Sequence, residues 1–287
     1  MRILVLGGDG MLGHELFRQL RGSHDARVTL RQPLSAYAAK GLFERGNAFA
    51  GVDARAAGRM EAVLEEFRPG AVVNAIGIVK QRPEAEEALA SIEVNALLPH
   101  RLALACRATG ARLIHLSTDC VFSGDKGAYR EEDHPDPVDL YGRSKLLGEV
   151  IDEGALTLRT SMIGLGLYRK TSLVDWFLAQ KGRIQGFREA IFSGLTTREI
   201  ARVIGMLLER HPQASGLYHV SAAPISKYEL LVKLREHLRA QLEIAPVDEP
   251  RIDRSLDSTR FRRVFAYQPP SWDEMLDELA KEIRKAA

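Results

Sequence analysis

Met1-Arg2-Ile3-Leu4-Val5-Leu6-Gly7-Gly8-Asp9-Gly10-Met11-Leu12-Gly13 opens the chain and decides how the rest of it is read. Ile3–Leu6 is a short unbroken apolar run, as expected of a strand buried on both faces. It leads directly into glycines spaced Gly7-x-x-Gly10-x-x-Gly13, and from Met11 to Arg21 the apolar residues fall at helical spacing. Strand, glycine turn and helix in that order form a βα unit whose turn lets bare backbone approach a pyrophosphate. The helix N-terminus then offers unpaired N–H groups and a partial positive charge to phosphate. The spacing is a variant of the dinucleotide fingerprint. It nominates Gly7, Gly10, Met11, Leu12 and Gly13 for a cofactor. The same stretch is not expected to be a secretory signal, because its apolar core ends after four residues and an h-region needs about 7–15.

Strand–helix alternation continues outward from this unit. Arg27–Leu30, Ala71–Ala75, Arg112–Ser117 and Ala155–Leu158 read as strands, with helices over Arg59–Phe67, Ala88–Thr109 and Tyr141–Glu153. The expected class is α/β, a Rossmann-type doubly wound parallel sheet. After residue 160 the pattern is less regular. Ser172–Lys181 and Thr196–Glu209 read as helices, and Gly216–Val220 as a strand. Ser226–Leu242 and Ser271–Arg284 read as helices that each open on a Ser with Glu three residues on, the capping-box spacing. The expected division is a Rossmann domain that binds NAD(P) over 1–160 and, over 161–287, mostly a smaller C-terminal substrate-binding lobe. Some of its segments return to the Rossmann domain. A length of 287 residues suits one large domain or two intimate ones.

Composition narrows the partners. Lys plus Arg (40) nearly balances Asp plus Glu (38), so the net charge of +2 provides no field for nucleic acid or an anionic membrane. Arg260, Arg262 and Arg263 form too short a cluster to change that. No apolar run approaches the roughly 18 residues of a membrane span. Two cysteines preclude a disulfide framework, and the eight histidines include no H-E-x-x-H. The expectation is a cytoplasmic protein with no metal, acting on a small molecule, with a homodimer left open. Cys106 reads as core filling and Cys120 as a pocket wall. Glu84, Glu86 and Glu87 read as a solvated helix start.

The cofactor's identity turns on the end of the second strand. An acid about 20 residues beyond the glycine loop holds the ribose 2′-hydroxyl of NAD, but Arg27-Val28-Thr29-Leu30-Arg31 carries none there. Arg31 stands in that place and suits a 2′-phosphate, which favours NADPH over NADH. Asp53, with Ala54 after it, follows a third strand where carboxylate or backbone can meet the adenine amino group. Asn74-Ala75-Ile76-Gly77 ends the next strand with residues small enough for a cofactor to lie against the backbone.

Chemistry concentrates in Ser117-Thr118-Asp119-Cys120-Val121-Phe122-Ser123-Gly124 and in Tyr141-Gly142-Arg143-Ser144-Lys145. Tyr141 and Lys145 are four apart and share one helix face. Y-x-x-x-K alone is weak; its occurrence after a glycine loop and a strand-end Ser-Thr carries the weight.

Together these motifs resemble the extended short-chain dehydrogenase/reductase superfamily. S-T-D-x-V-F-x-G, Tyr141-Gly-x-Ser-Lys145 and Leu146-x-Gly148-Glu149 are similar to the dTDP-4-dehydrorhamnose reductases and related reductases of nucleotide-linked 4-keto-6-deoxysugars. The likeness covers most of residues 1–160. It implies Tyr141 as proton donor, Lys145 as its electrostatic partner and ribose anchor, and Thr118 as the hydroxyl that polarises the substrate carbonyl. It implies Asn95, in Val94-Asn95-Ala96, as the asparagine that orders the proton path. It also places Asp119, Cys120, Phe122 and Met162 toward the substrate, while charge nominates Arg198 and Arg260 for its diphosphate.

The implied activity is NADPH-dependent reduction of a 4-keto sugar in dTDP-rhamnose or related surface-polysaccharide sugar biosynthesis. A phenol, with a pKa near 10, keeps its proton at neutral pH yet yields it to an alkoxide. Two departures reshape the pocket: Cys120 stands where these reductases usually carry Tyr, and Met162 where they carry Trp. Gly194-Leu195-Thr196-Thr197-Arg198 also lacks their usual Pro-Thr. A different 4-keto sugar, such as a UDP-linked acetamido one, fits these changes. Sugar-nucleotide dehydratases place Glu where Cys120 is, and epimerases place small residues at Thr-Asp, so both are disfavoured. A non-catalytic NADP-binding regulatory subunit is the other alternative, against which the intact Thr118, Tyr141 and Lys145 argue.

Overall fold

The computed structural model describes residues 1–56, 58–79, 87–168 and 170–286. Glu84 and Glu86 lie outside the described residues; Glu87 is exposed and flanks the helical turn Ala88–Ser91.

The apolar runs form the strands β1 (Arg2–Leu6), β2 (Asp25–Leu30), β3 (Ala48–Ala50), β4 (Ala71–Asn74), β5 (Arg112–Thr118) and β6 (Ala155–Thr160). With Gly216–His219 they build a seven-stranded sheet in the order Gly216–His219, β6, β5, β4, β1, β2, β3. β1 runs parallel to β2 and β4, β2 to β3, and β4 to β5. Ile3 to Leu6 and Val72–Val73 are wholly buried, which is why these strands show no polar alternation. On one face Leu4, Leu6, Val72 and Leu113 pack against Leu64, Phe67, Leu102 and Cys106. Each such leucine contributes about 1.5–3 kcal/mol on burial. Strand order reverses between β1 and β4, so the loops after these two strands flank the crevice where such sheets bind ligands.

The chain groups into two compact units that interleave along the sequence. The first comprises Met1–Ser117, Asp139–Leu158 and Ala201–Leu217, and the second Thr118–Val138, Arg159–Ile200 and Tyr218–Ala287. In the second, Gly182–Phe187 pairs parallel with Leu242–Val247. Ala190–Phe192 lies between Ile225–Ser226 and Ile252–Asp253, and Met162–Ile163 pairs with Leu195–Thr196.

Three helices depart from the spacing-based expectation. The helix expected over Ala88–Thr109 contains a π-helical turn, Ile92–Leu97, between Ala88–Ser91 and Leu98–Thr109. Pro99 lacks the N–H that would have bonded the Asn95 carbonyl four residues back. The helix expected over Tyr141–Glu153 is Leu140–Leu147 and stops at Gly148, where a Cβ would overlap the Asn95 carbonyl oxygen. The helix expected to reach Leu242 ends at Leu238. Arg239 turns left-handed at φ 54°, and Leu242 already belongs to the strand paired with Gly182.

Candidate active site

The glycine turn adopts the geometry its spacing implies. Gly7 is left-handed at φ 78°, and a Cβ on Gly13 would overlap the Gly7 carbonyl oxygen, so the helix Gly13–Leu20 starts pressed onto the turn. Gly10 N–H donates to the Gly7 carbonyl (3.0 Å), Gly8 N–H to the Thr29 carbonyl (2.9 Å) and Gly7 N–H to Thr29 Oγ1 (3.1 Å). Leu12, at the cap position, supplies no side-chain acceptor for the helix N-terminus. This cradle fits a dinucleotide pyrophosphate: it has space only where side chains are missing, and its uncapped N–H groups suit an anion.

At the adenosine end Arg31 is exposed just beyond β2. Asp53 follows β3, but its carboxylate is already paired. Arg55 binds it through Nη2 (2.9 Å) and Nε (3.2 Å), and the Arg55 N–H donates a third bond (3.0 Å). Those hydrogen bonds hold the Asp53 carboxyl below its usual range, and the nearby Arg31 charge adds to the effect. For an adenine amino group this leaves chiefly the Asp53–Ala54 backbone, and Arg55 is a cation that sequence reading passed over. Asn74 is likewise committed. Its amide meets His115 Nδ1 at 3.1 Å and accepts the Ile76 N–H at 3.1 Å, fixing the turn after β4. Ala75, Ile76 and Gly77 are half-buried, and Ile76 lies against Gly7.

Tyr141 and Lys145 sit on one turn of Leu140–Leu147, whose start is capped by Asp139 Oδ1 accepting the Gly142 N–H (2.8 Å). Lys145 is buried, and its Nζ donates to the Leu116 carbonyl of β5 at 2.6 Å. Burial pulls its pKa down to about 8, with the Glu149 carboxylate opposing. Tyr141 is half-buried. Asn95 is buried with its amide fully engaged: Oδ1 accepts the Ile78 N–H (2.9 Å), while Nδ2 donates to the Ile78 carbonyl (3.0 Å) and to Ser144 Oγ (3.2 Å). The side chain therefore clamps the β4 loop to the Tyr141 helix. Glu149 Oε1 accepts the Ser117 hydroxyl at 2.6 Å, tying the end of the same segment to β5.

The second unit carries the remaining residues. Thr118 ends β5, where its Oγ1 donates to Asp119 Oδ1 (3.1 Å) and accepts the Cys120 N–H (3.2 Å). Burial raises the Asp119 pKa against the attraction of Lys227, and burial followed by the Asp119 charge pushes the Cys120 thiol up to about 12. Met162 is half-buried in its short strand.

Phe122 does not face a ligand. It is wholly buried, stacked on Tyr129 at 4.1 Å between ring centroids, with Arg159 over its ring at 5.2 Å. Arg198 Nε lies 3.6 Å from Glu278 Oε2 on the closing helix. Arg260 is exposed, 4.9 Å over the Tyr218 ring and 3.9 Å from Glu132. Two cations absent from the sequence reading belong to this cluster. Arg254 Nε donates to the Phe122 carbonyl (2.8 Å), and Lys227 lies 4.0 Å over the Phe192 ring.

Sheet order, glycine turn and the Tyr141–Lys145 helix define an extended short-chain dehydrogenase/reductase of the Rossmann type. Within that class the profile of the RmlD substrate binding domain matches residues 1–285, and the chain belongs to that family. It is 32% identical, over 78% of this chain and 72% of the relative, to a probable dTDP-4,6-dihydroxy-2-methyloxan-3-one 4-ketoreductase of Streptomyces antibioticus. It is 25% identical, over 97% and 98%, to the dTDP-4-dehydrorhamnose reductase of Aggregatibacter actinomycetemcomitans. The fold is shared with a dTDP-4-dehydrorhamnose reductase of Bacillus anthracis solved in complex with NADP, at TM-score 0.82 and 24% identity over 98% and 99% of the two chains.

Proposed function

We propose that the chain is an NADPH-dependent reductase of a nucleotide-linked 4-keto-6-deoxyhexose, serving dTDP-rhamnose or a related surface-polysaccharide sugar. The reading rests on the Tyr141–Lys145 pair, one turn apart, with a desolvated ammonium anchored 2.6 Å from the end of β5. The names of two relatives, a 4-ketoreductase and a dTDP-4-dehydrorhamnose reductase, support it. Backbone N–H groups of Gly7 to Gly13 would hold the pyrophosphate, Arg31 a 2′-phosphate, Asp53–Ala54 the adenine, Ala75–Gly77 the body of the dinucleotide, and Lys145 its ribose. When bound, the reduced dinucleotide supplies hydride to the sugar carbonyl carbon.

The protein's own work is proton delivery and charge stabilisation. Tyr141 holds the proton that the nascent alkoxide takes, and the Lys145 ammonium eases its departure. Thr118 Oγ1–H turns from Asp119 to the substrate oxygen as negative charge develops there. Cys120, neutral with its pKa near 12, supplies no base to pull a ring proton, which argues against dehydration. Asp119, Cys120 and Met162 would line the sugar.

Incubation with NADPH and a panel of dTDP- and UDP-linked 4-keto sugars, followed at the nicotinamide absorbance, tests this reading. Turnover on one of them is expected. Tight NADPH binding with no turnover on any would transfer the assignment to a regulatory dinucleotide-binding subunit. Leu89, Leu104, Leu147 and Ile151, all exposed on or just after the helices of the first unit, support self-association into a homodimer, which light scattering would read directly. The cytoplasm is the compartment this reading assigns, on its need for reduced dinucleotide and two free thiols.

A further inference from the structure

Lys227 is the first residue of the helix Lys227–Leu238, directly after the Ser226 cap, whose hydroxyl and Glu229 form a capping box. A cation in that position opposes the helix dipole, and burial disfavours its charge a second time. Its position is nonetheless fixed. Ser226 pairs with Ile191 and Ile225 with Phe192 across two short antiparallel strands, which holds Nζ 4.0 Å over the Phe192 ring. Phe192 in turn packs against Trp272, with ring centroids 5.5 Å apart. The Asp119 and Cys120 charges act on the ammonium and partly offset the effect of burial. Among the described residues, however, Nζ makes no hydrogen bond and no ion pair within 4 Å. An ammonium has three donors and no acceptor, and here the protein answers its charge without filling those donors.

We propose that Lys227 is a substrate-binding residue of this chain, whose ammonium donates hydrogen bonds to oxygen substituents of the hexose in a nucleotide-linked sugar. The proposal rests on the reductase reading above and deepens it. Asp119 relates Lys227 to the reacting end of the substrate: one of its oxygens takes the Thr118 hydroxyl at 3.1 Å, and its charge acts on the ammonium. Since Thr118 addresses the reacting carbonyl, the donors of Lys227 fall at the sugar and away from the nucleotide. Asp119 is thus a positioning residue for the Thr118 hydroxyl. A polar donor at the sugar also shifts selectivity toward sugars rich in hydroxyl or acetamido acceptors.

The test compares wild type, Lys227→Met and Lys227→Arg. Calorimetry measures affinity for unreactive dTDP-glucose and UDP-N-acetylglucosamine against bare dTDP and UDP, and fluorescence measures NADPH affinity. We expect Lys227→Met to keep its melting temperature and NADPH affinity and to bind bare nucleotides as wild type does. It should lose about 10- to 100-fold in affinity for a nucleotide sugar that wild type binds, and Lys227→Arg should recover part of the loss. A Lys227→Met protein that binds that nucleotide sugar as wild type does, or that weakens equally for the bare nucleotide, overturns the proposal. Wild type that turns over no keto sugar and binds no nucleotide sugar overturns the reductase reading as well, and so separates the two failures.

Discussion

At the residue scale the site depends on how burial sets the charge of Lys145. Its pKa of about 8 means that the ammonium is present below that pH and absent above it. Reduction should therefore slow as pH rises through about 8, while Lys145→Met should be roughly 10²–10³-fold slower and lack that limb. A wild-type pH profile flat from 7 to 9.5 would contradict the role given to Lys145. Tyr141→Phe removes the transferable proton and should cost about 10²–10⁴-fold in kcat, with NADPH affinity retained; unchanged turnover would remove Tyr141 as donor. Arg31→Ala should weaken NADPH about tenfold more than NADH, since an exposed charge-assisted contact to the 2′-phosphate is all that is lost. Equal losses for the two would show that Arg31 does not read the phosphate. Arg55, joined to Asp53 by two bonds, provides an internal control, because Arg55→Ala frees a carboxylate that repels the 2′-phosphate.

At the scale of elements, the catalytic helix is placed by an exclusion. Gly148 lets Leu140–Leu147 end against the Asn95 carbonyl, at the π-turn that Pro99 helps to open. Gly148→Ala should push the two helices apart, lower stability by about 1–3 kcal/mol and reduce kcat more than it weakens NADPH. A fully active, equally stable Gly148→Ala would mean that this contact does not position Tyr141. The Tyr141–Lys145 spacing was legible in the sequence because it is local, as were the βα turn and two capping boxes, Ser226–Glu229 and Ser271–Glu274. The π-turn, the early stop at Gly148 and the strand Leu242–Val247 were not, because each is decided by a partner far along the chain. Phe122 and Arg198 were nominated for the ligand by motif and by charge. Tyr129, which stacks on Phe122, and Glu278, which pairs with Arg198, carry no signal next to them in sequence. Lys227 could have been noticed as a cation placed against its own helix dipole.

At the scale of the whole molecule, the chain passes repeatedly between its two units, an interleaving that sequence order alone cannot display. Each unit buries a neutral histidine. His115, on β5 against Asn74, is held well below its ordinary pKa by burial and then by the Lys145 charge. His219, in the second unit, is lowered to about 4 by burial and then by Arg159, with Nδ1 donating to the Tyr129 carbonyl at 3.0 Å. In the unfolded chain both titrate near 6.5. Below that pH the unfolded state binds protons that the folded state refuses, so stability is complete above about 6.5 and declines as pH falls toward 4. His219 alone accounts for about 2 kcal/mol between pH 6.5 and pH 5, at ~1.36 kcal/mol per unit, and His115 adds in the same direction. The carboxylates lowered by neighbouring cations, Asp53 and Asp273 among them, titrate below this window, while the Asp119 and Glu131 carboxyls, raised by burial, oppose the histidines in sign. Urea unfolding at pH 7.5 and pH 5 should show that loss in unfolding free energy. His219→Gln, which keeps a donor for the Tyr129 carbonyl but cannot take a proton, should flatten the acid limb by its own share. Equal unfolding free energies at the two pH values would mean that neither imidazole is shut away from protons in the native state.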